Sequence, residues 1–218
     1  MATPVNAVAV PELGFTVEEA APIPYAAAPM LRLALRIERP DGRPVHAILL
    51  DVQVRIAARR RGYEAAERAR LADLFGRPEQ WATSVQSLLW TNATVHVPPF
   101  TGATRVDLPL ACTYDFEVAA TRYLDALDGG EVPLELLFSG TLLQPDVDGR
   151  LEVARLPLDR EARFAMPVRV WRDAMDHYFP GAAWLRLERE SFDRLAAYRA
   201  REALPTWEAA VDRLLEGA

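Results

Sequence analysis

The sequence contains no lysine and only one cysteine. The scarcity of cysteine excludes a protein held together by internal disulfide bonds. All 25 basic residues are arginines, a bias that, together with abundant alanine, is typical of a GC-rich bacterial genome. The single cysteine, Cys112, cannot form an internal disulfide bond. At 218 residues, the chain is long enough to bury a core without a disulfide or a structural metal. We therefore expect one domain, or one domain with a helical appendage.

Segments that would direct the chain to a membrane are also lacking. The first 31 residues contain no basic residue and no long apolar run, whereas a signal peptide needs both. No run of about 18 apolar residues occurs, as a transmembrane helix would require. The sequence therefore predicts a cytoplasmic protein that does not insert into a membrane.

Positive charge is not in excess, since the net charge is −6. Proteins that bind nucleic acids usually carry a basic excess, because contacts to phosphates supply much of their affinity. We therefore do not expect a nucleic acid among the partners.

Residues with metal, cofactor or nucleophile chemistry are few and scattered. His46, His96 and His177 each stand alone, without ligands at the spacing of a metal site. Neither a dinucleotide fingerprint nor a phosphate-binding loop occurs. Cys112 falls on the apolar side of a predicted strand, where a cysteine is typically an inert packing residue. The sequence therefore predicts no metal, no cofactor and no catalytic residue.

The dipeptide Ser139-Gly140 follows a predicted strand, at a place where a hydrolase nucleophile can lie. Its context, Phe138-Ser139-Gly140-Thr141, does not match the G-x-S-x-G elbow. The apolar pattern continues beyond it, where an elbow would begin a helix. We therefore interpret Gly140 as marking a bulge or a bend in a sheet.

Two strictly alternating runs dominate the first quarter of the chain. Residues 31–37 and 48–56 place apolar side chains at every second position, and Asp41-Gly42 lies between them. Alternating runs joined by a turn signal are typical of an antiparallel hairpin with one solvated face. We therefore predict that these two strands pair with each other.

Further elements follow from changes of period. We predict helices at 63–75 and 116–127, the second capped by Asp115, and strands at 88–97, 106–114, 132–138 and 151–156. From Pro167 the pattern is helical, with Ser191 and Thr206 as N-caps of helices 192–202 and 207–215. The predicted class is α+β, an antiparallel sheet or sandwich with helical insertions. Residues 12–160 would form this sheet domain, and 161–218 a C-terminal helical segment packed on it.

One stretch concentrates positive charge, and tryptophans follow it. Residues 55–70 contain six arginines against two glutamates, whereas residues 123–149 contain six acids and no basic residue. These stretches either neutralise each other within the fold or form a charged surface for a partner protein. Arginine and tryptophan dominate binding hot spots. The candidate partner-binding residues are Arg59, Arg60, Arg61, Trp81 and Trp90.

An ordered set of motifs resembles a known family. The motifs are Leu88-Leu89-Trp90, Cys112-Thr113-Tyr114-Asp115-Phe116-Glu117, Glu131-Val132-Pro133-Leu134, Phe138-Ser139-Gly140-Thr141, residues 171–179 and Pro205-Thr206-Trp207-Glu208. From about residue 12 onward, the chain resembles a bacterial family of unknown function, common in actinobacteria, that occurs beside [NiFe]-hydrogenase structural and maturation genes. The resemblance implies an accessory role in hydrogenase assembly or electron delivery, and assigns no functional residue.

Two functional hypotheses of different classes remain. The first is a non-catalytic accessory or scaffold protein that binds a hydrogenase subunit or a maturation factor. The alternative is a small-molecule-binding sandwich, or an enzyme that uses carboxylates and arginines alone. An enclosed apolar pocket containing a carboxylate of shifted pKa would favour the alternative. A broad surface edged by arginine and tryptophan would favour the first.

Overall fold

The computed structural model describes residues 12–146 and 148–217. The sequence of residues 1–11 predicts an irregular lead, and this prediction lies outside the described range. Eight strands are β1 Gly14–Pro22, β2 Met30–Glu38, β3 Ala47–Ile56, β4 Leu88–Val97, β5 Ala103–Ala111, β6 Glu131–Pro145, β7 Leu151–Arg155 and β8 Glu161–Pro167. The α-helices are α1 Ala65–Phe75, α2 Trp81–Ser84, α3 Ala119–Asp125, α4 Val168–Tyr178, α5 Arg189–Arg201 and α6 Trp207–Leu215. None of these helices has the length and apolar character needed to cross a membrane.

The strands form two antiparallel sheets that enclose the core between them. One sheet has the order β1-β2-β5, and the other has the order β4-β3-β6-β7, with β8 also paired to β6. Apolar side chains of both sheets face inward, as in the stacked rings of Phe15 on β1 and Phe138 on β6, with centroids 4.2 Å apart. This arrangement confirms the predicted α+β class.

The predicted hairpin between the first two alternating runs is wrong. β2 pairs with β1 and β5, whereas β3 pairs with β4 and β6, so the two runs belong to different sheets. Each run alternates because its apolar side faces the shared core, and alternation specifies the buried face without specifying the neighbouring strand. The loop between them crosses the sandwich and is held by buried Arg39, which pairs with Asp41 at 2.7 Å.

β6 is longer than the sequence indicates, and it changes its outer partner along its length. Its first half pairs with β8 and its last five residues pair with β7.

The register with β3 is unbroken from Ala47 to Ile56, so no bulge occurs at Gly140 in that ladder. Gly140 has a φ of 148°, and a Cβ there would lie 2.1 Å from the carbonyl oxygen of Leu49. Glycine is needed at this position because the two backbones approach closely.

α4 joins the C-terminal part of the chain to the sandwich. Its buried stripe consists of Val168, Val170, Trp171, Ala174 and Met175, and it packs against β1, β2 and β8. The C-terminal segment predicted from residue 161 therefore begins with strand β8, which pairs with β6. The helix follows where its pattern indicates, since Pro167 occupies the N-cap position of α4.

Helix starts agree with the sequence only in part. Thr206 caps α6, since its side chain accepts a hydrogen bond from the backbone N–H of Ala209 at 3.1 Å. α5 begins at Arg189, earlier than the predicted cap Ser191. α3 begins at Ala119, because Asp115 accepts the N–H of Glu117 within the preceding turn and does not cap the helix. Such short polar side chains stabilise turns as readily as helix caps.

Candidate functional site

The three arginines predicted to form a docking surface lie in three different environments. Arg59 is exposed. Arg60 forms an ion pair with Glu135 on β6, with Nη2 and Oε1 3.2 Å apart. The guanidinium of Arg61 contacts both carboxylate oxygens of Glu67, at 2.8 and 2.9 Å. These side chains therefore do not form one continuous surface.

Arginines from three elements hold the segment between α3 and β6. Arg61, Arg70 and Arg172 all donate hydrogen bonds to its backbone carbonyl groups. The accepting carbonyls are those of Gly129 (2.5 Å) and Glu131 (3.0 Å) for Arg61, Ala126 (2.9 Å) for Arg70 and Asp128 (3.1 Å) for Arg172. Arg70 also pairs with the Asp128 carboxylate at 2.6 Å. Part of the basic stretch thus neutralises part of the acidic stretch inside the fold.

Glu67 is central to this arrangement, although the sequence analysis does not single it out. Its side chain is buried in the first turn of α1 and also accepts the backbone N–H groups of Glu64 and Asp128, at 3.1 and 3.0 Å. Burial opposes its ionisation, but the bonds from Arg61 and the backbone outweigh burial and lower the pKa of Glu67 to about 2. The spacing of Glu64 and Glu67, that of a capping box, is the sequence signal that identifies this residue.

The two predicted tryptophans contribute to packing. Trp81 is 9% exposed, and its Nε1–H donates to the carbonyl oxygen of Gly76 at 2.9 Å. Its ring lies edge-on to Tyr63 and Phe75, each 5.4 Å away. Trp90 is half-buried against the core, at the position where the register of β4 with β3 shifts. The two tryptophans therefore pack at different places, Trp81 against Tyr63 and Phe75, and Trp90 on β4.

The nucleophile and metal candidates are isolated from one another. Cys112 is half-buried one residue beyond β5, and burial raises the pKa of its thiol to about 12. The thiol is therefore protonated at neutral pH. The three histidines lie exposed before β3, on β4 and at the end of α4. Within residues 12–146 and 148–217, no group of three or more His, Cys, Asp or Glu side chains is arranged to hold a metal ion.

One cleft contains a carboxylate with a perturbed pKa. It has a volume of about 270 Å³, lies between α1 and α3, and is lined by charged residues including Arg70, Asp73, Arg122 and Asp125. Partial burial raises the pKa of Asp125, while the charges of Arg172 and Arg70 oppose this rise. Asp73 and Arg122 already pair with each other. The cleft is small, open and largely self-neutralised.

Apolar concavities larger than this cleft lie at the other end of the chain. We call one of them the C-terminal groove, and it has a volume of about 470 Å³. Its lining consists of Ala183, Leu185, Leu187, Phe192, Leu195, Trp207, Glu208, Val211 and Asp212, from the loop after α4 and from α5 and α6. Seven of these nine residues are apolar, as is typical of sites that bind apolar side chains.

Two further concavities extend this groove. One, of about 700 Å³, shares Ala183, Leu185 and Trp207 with it and adds Trp184 and Arg186. The other, of about 320 Å³, shares Leu187 and Leu195 and adds Tyr198 and Leu214. The three therefore form one continuous surface over residues 183–214, with Thr113 and Asp115 at one side.

Large apolar side chains on this surface are exposed to an unusual degree. The exposed fractions are 61% for Trp184, 68% for Leu185, 40% for Phe192 and 43% for Val211. α5 buries none of its residues, and α6 buries only Ala210. Contiguous exposed apolar surfaces of this kind mark binding sites on folded proteins.

A series of aromatic rings attaches the groove to the sandwich. Tyr114 contacts Trp171 on α4 and stacks on Phe179, with centroids 5.8 and 5.3 Å apart. Phe179 in turn contacts Trp184 at 5.2 Å. Asp115 and Trp184 also form a backbone bridge. The loop that forms one wall of the groove is thus fixed to the core, which gives the groove a defined position.

A second exposed apolar face competes with the groove. On the outer side of the larger sheet, Leu49, Leu151 and Val153 are 51%, 61% and 60% exposed. This face is a pleated sheet surface without tryptophan. The groove and its two extensions are concave and contain Trp184 and Trp207, and this surface is therefore the stronger candidate for binding.

The sequence analysis misses the groove, although it quotes Trp207 within a family motif. Leu185, Leu187, Phe192, Leu195 and Val211 have the composition of core residues. A signal was nevertheless present, because the chain places these side chains beyond α4, on a loop and two short helices that offer too little structure to cover them. Weighing the size of a terminal segment against its apolar content would have indicated an uncovered surface.

Comparisons with solved structures give only remote likenesses. A β-glucosidase from Kluyveromyces marxianus is 13% identical, with a TM-score of 0.24, over 72% of this chain and 15% of that one. A protein from Archaeoglobus fulgidus is 10% identical, with a TM-score of 0.25, over 69% of this chain and 97% of that one. This chain therefore spans a small part of the glucosidase, and neither likeness supports a functional argument. No match is found among curated proteins. A family profile, however, matches residues 10–218, and the chain belongs to that family of unknown function, DUF6084.

Proposed function

We propose that this protein is a non-catalytic accessory protein that binds another protein through its C-terminal groove. The observation that carries the proposal is the exposed apolar lining of the groove, especially Leu185 and Val211, together with Trp184 in the adjoining concavity. Removing such side chains from water on binding supplies affinity, and tryptophan is among the residues that contribute most.

Arginine also contributes to this surface, as the accessory hypothesis requires. The guanidinium of Arg199 stacks over the ring of Trp207 with its central carbon 3.9 Å from the ring centroid. Phe192 contacts the same ring at 5.2 Å. Trp207 is therefore held in one orientation before a partner arrives, which reduces the entropy lost on binding.

For the partner, we propose a subunit or a maturation factor of a [NiFe] hydrogenase in the bacterial cytoplasm. This part of the proposal is supported by the motif resemblance described above. The accessory protein would hold a folded or partly folded component during assembly, and the metal chemistry would belong to its partners.

Capture from the native host tests the proposal. The tagged chain and a Leu185→Asp/Val211→Asp variant would be purified, and the bound proteins identified by mass spectrometry. The matched control is Leu151→Asp/Val153→Asp, which places the same charges on the outer sheet face. We expect the wild type and the control to capture a hydrogenase component, and the groove variant to lose it. Equal capture by all three, or loss only in the control, would refute the groove as the docking site.

The Asp125 cleft supports a second candidate function, the binding of a small charged molecule. The raised pKa of Asp125 is the observation that favours it. If that function is correct, Asp125→Asn should abolish the binding of a small molecule while leaving protein capture intact. If Asp125→Asn still captures the partner protein and only the groove variant, Leu185→Asp/Val211→Asp, fails to capture it, the result would instead favour the accessory role.

A further inference from the structure

The C-terminal groove carries negative charge on one wall only. Glu208 and Asp212 lie one turn apart on α6, and both line the groove. Residues four apart on a helix lie on the same face. Both side chains are exposed, and neither belongs to an ion pair among residues 12–146 and 148–217.

Three of the nearby arginines are engaged elsewhere, and Arg186 and Arg194, which line the adjoining concavities and not the groove itself, form no ion pair with Glu208 or Asp212. Arg213 pairs with Glu216 at 3.7 Å, Arg201 pairs with Glu202 at 3.0 Å, and Arg199 stacks on Trp207. The two groove carboxylates are therefore available to a partner. A ligand that fills the apolar floor and carries basic groups beside it would complement both properties of the site.

The walls of the groove also restrict the backbone of its occupant. They consist of two helices and a loop, so they do not offer the free strand edge that an extended peptide needs for pairing. A helix satisfies its own backbone hydrogen bonds and presents side chains at successive turns, about 5.4 Å apart. Its basic residues, placed one turn apart, would match the spacing of Glu208 and Asp212.

We infer that the C-terminal groove binds an amphipathic α-helix whose apolar side chains fill the groove and whose basic residues pair with Glu208 and Asp212. This inference rests on the proposed function and specifies the chemistry of the partner segment. In this arrangement, the apolar contacts supply most of the affinity, and the two carboxylates favour a basic helix over an acidic one.

Two synthetic peptides test this inference. Both would form about five helical turns with the same leucine and phenylalanine face, flanked by arginines in one peptide and by glutamates in the other. Binding of each fluorescein-labelled peptide to the full chain would be measured by anisotropy. We expect the basic peptide to bind at least about tenfold more tightly, and rising salt to reduce this preference because exposed charges are screened.

Matched variants separate local from global charge effects. Glu208→Gln/Asp212→Asn should abolish the preference, whereas Glu12→Gln/Asp148→Asn, at the opposite end of the sandwich, changes the net charge equally and should retain it. Leu185→Asp/Val211→Asp should weaken the binding of both peptides, because it places charges in the apolar groove. Circular dichroism would confirm that every variant is folded.

Each other outcome overturns the inference in a distinct way. Equal binding of both peptides, lost in the Leu185→Asp/Val211→Asp variant, would retain a helix-binding groove and reject the role of the carboxylates. Failure of both peptides, with groove-dependent capture from the host intact, would reject a helical occupant while leaving the proposed function standing. A wild-type dimer that the groove variant converts to monomer would identify a second copy of this chain as the occupant.

Discussion

At the scale of single residues, the buried ion pair formed by Glu67 and Arg61 connects several elements of the fold. Glu67 is almost fully buried, and its two carboxylate oxygens accept bonds from Arg61 and from two backbone N–H groups. The Arg61 guanidinium in turn holds the carbonyls that lead into β6. One ion pair thus joins α1 to the largest strand of the sandwich.

We predict that Glu67→Gln lowers the free energy of unfolding by about 3 kcal/mol at neutral pH, which corresponds to the depressed pKa. Because the folded-state pKa of about 2 lies below the ordinary value of 4.5, this stability is present above pH 4.5. It is lost as the pH falls towards 2. Urea unfolding at several pH values measures it, with the exposed Glu79→Gln as the control. A difference between wild type and variant that is as large at the acidic end as at neutral pH would contradict the assignment.

The adjacent arginines should differ sharply in their contributions to stability. Arg61→Ala leaves the buried carboxylate of Glu67 without its partner and should cost about 3–5 kcal/mol. Arg59→Ala removes an exposed charge and should change stability by less than about 0.5 kcal/mol. Comparison of urea midpoints decides this. Equal effects of the two substitutions would mean that the buried pair is not the source of the stability.

At the scale of secondary-structure elements, the pattern of apolar residues predicts where strands lie in the sequence better than it predicts which strands pair. Strands β2 and β3 occur where strict alternation indicates them. Their assignment to one hairpin fails because two facing sheets bury alternating residues in the same way as two paired strands. The length of β6 is also underestimated, since only the opposed backbone at Leu49 explains why glycine interrupts its apolar pattern.

Gly140 provides the clearest test of this part of the fold. Gly140→Ala would place a methyl group against the Leu49 carbonyl and hold alanine at a φ of 148°. We therefore expect it to lower the free energy of unfolding by about 2–4 kcal/mol. Gly149→Ala is the matched control. Gly149 also has a positive φ, of 79°, but has open space around it, and its replacement should cost about 1 kcal/mol. Thermal unfolding that ranks the control as the more damaging change would contradict the close approach.

At the scale of the whole molecule, the sandwich and the C-terminal segment have different relations to solvent. The sandwich and α4 bury a continuous apolar core, whereas the apolar residues of α5 and α6 are exposed or only partly buried, apart from Ala210. The periodicity of apolar residues predicts the α+β class. It does not distinguish the apolar residues of the core from those of the groove, because that distinction depends on what the rest of the chain covers.

The predicted docking residues stay a prediction as a binding site, but their surroundings differ from those of an open surface. A cluster of arginines with nearby tryptophans has the composition of a docking surface, yet Arg60 pairs with Glu135, which is distant in sequence, and Arg61 pairs with Glu67, six residues away. Trp81 packs against Phe75 and Tyr63, and this packing buries it. Only the tertiary structure shows which arginines and tryptophans remain available.

The most direct test of the central claim is hydrogen–deuterium exchange on the complex captured from the native host, compared with the free protein. We predict slower exchange on binding in the loop at 183–187, in α5 and in α6, with little change in β3 and β7. Helices that bury few residues exchange rapidly when free, so protection there is readily detected. Protection confined to the outer sheet face, or to residues 55–70, would contradict docking in the C-terminal groove.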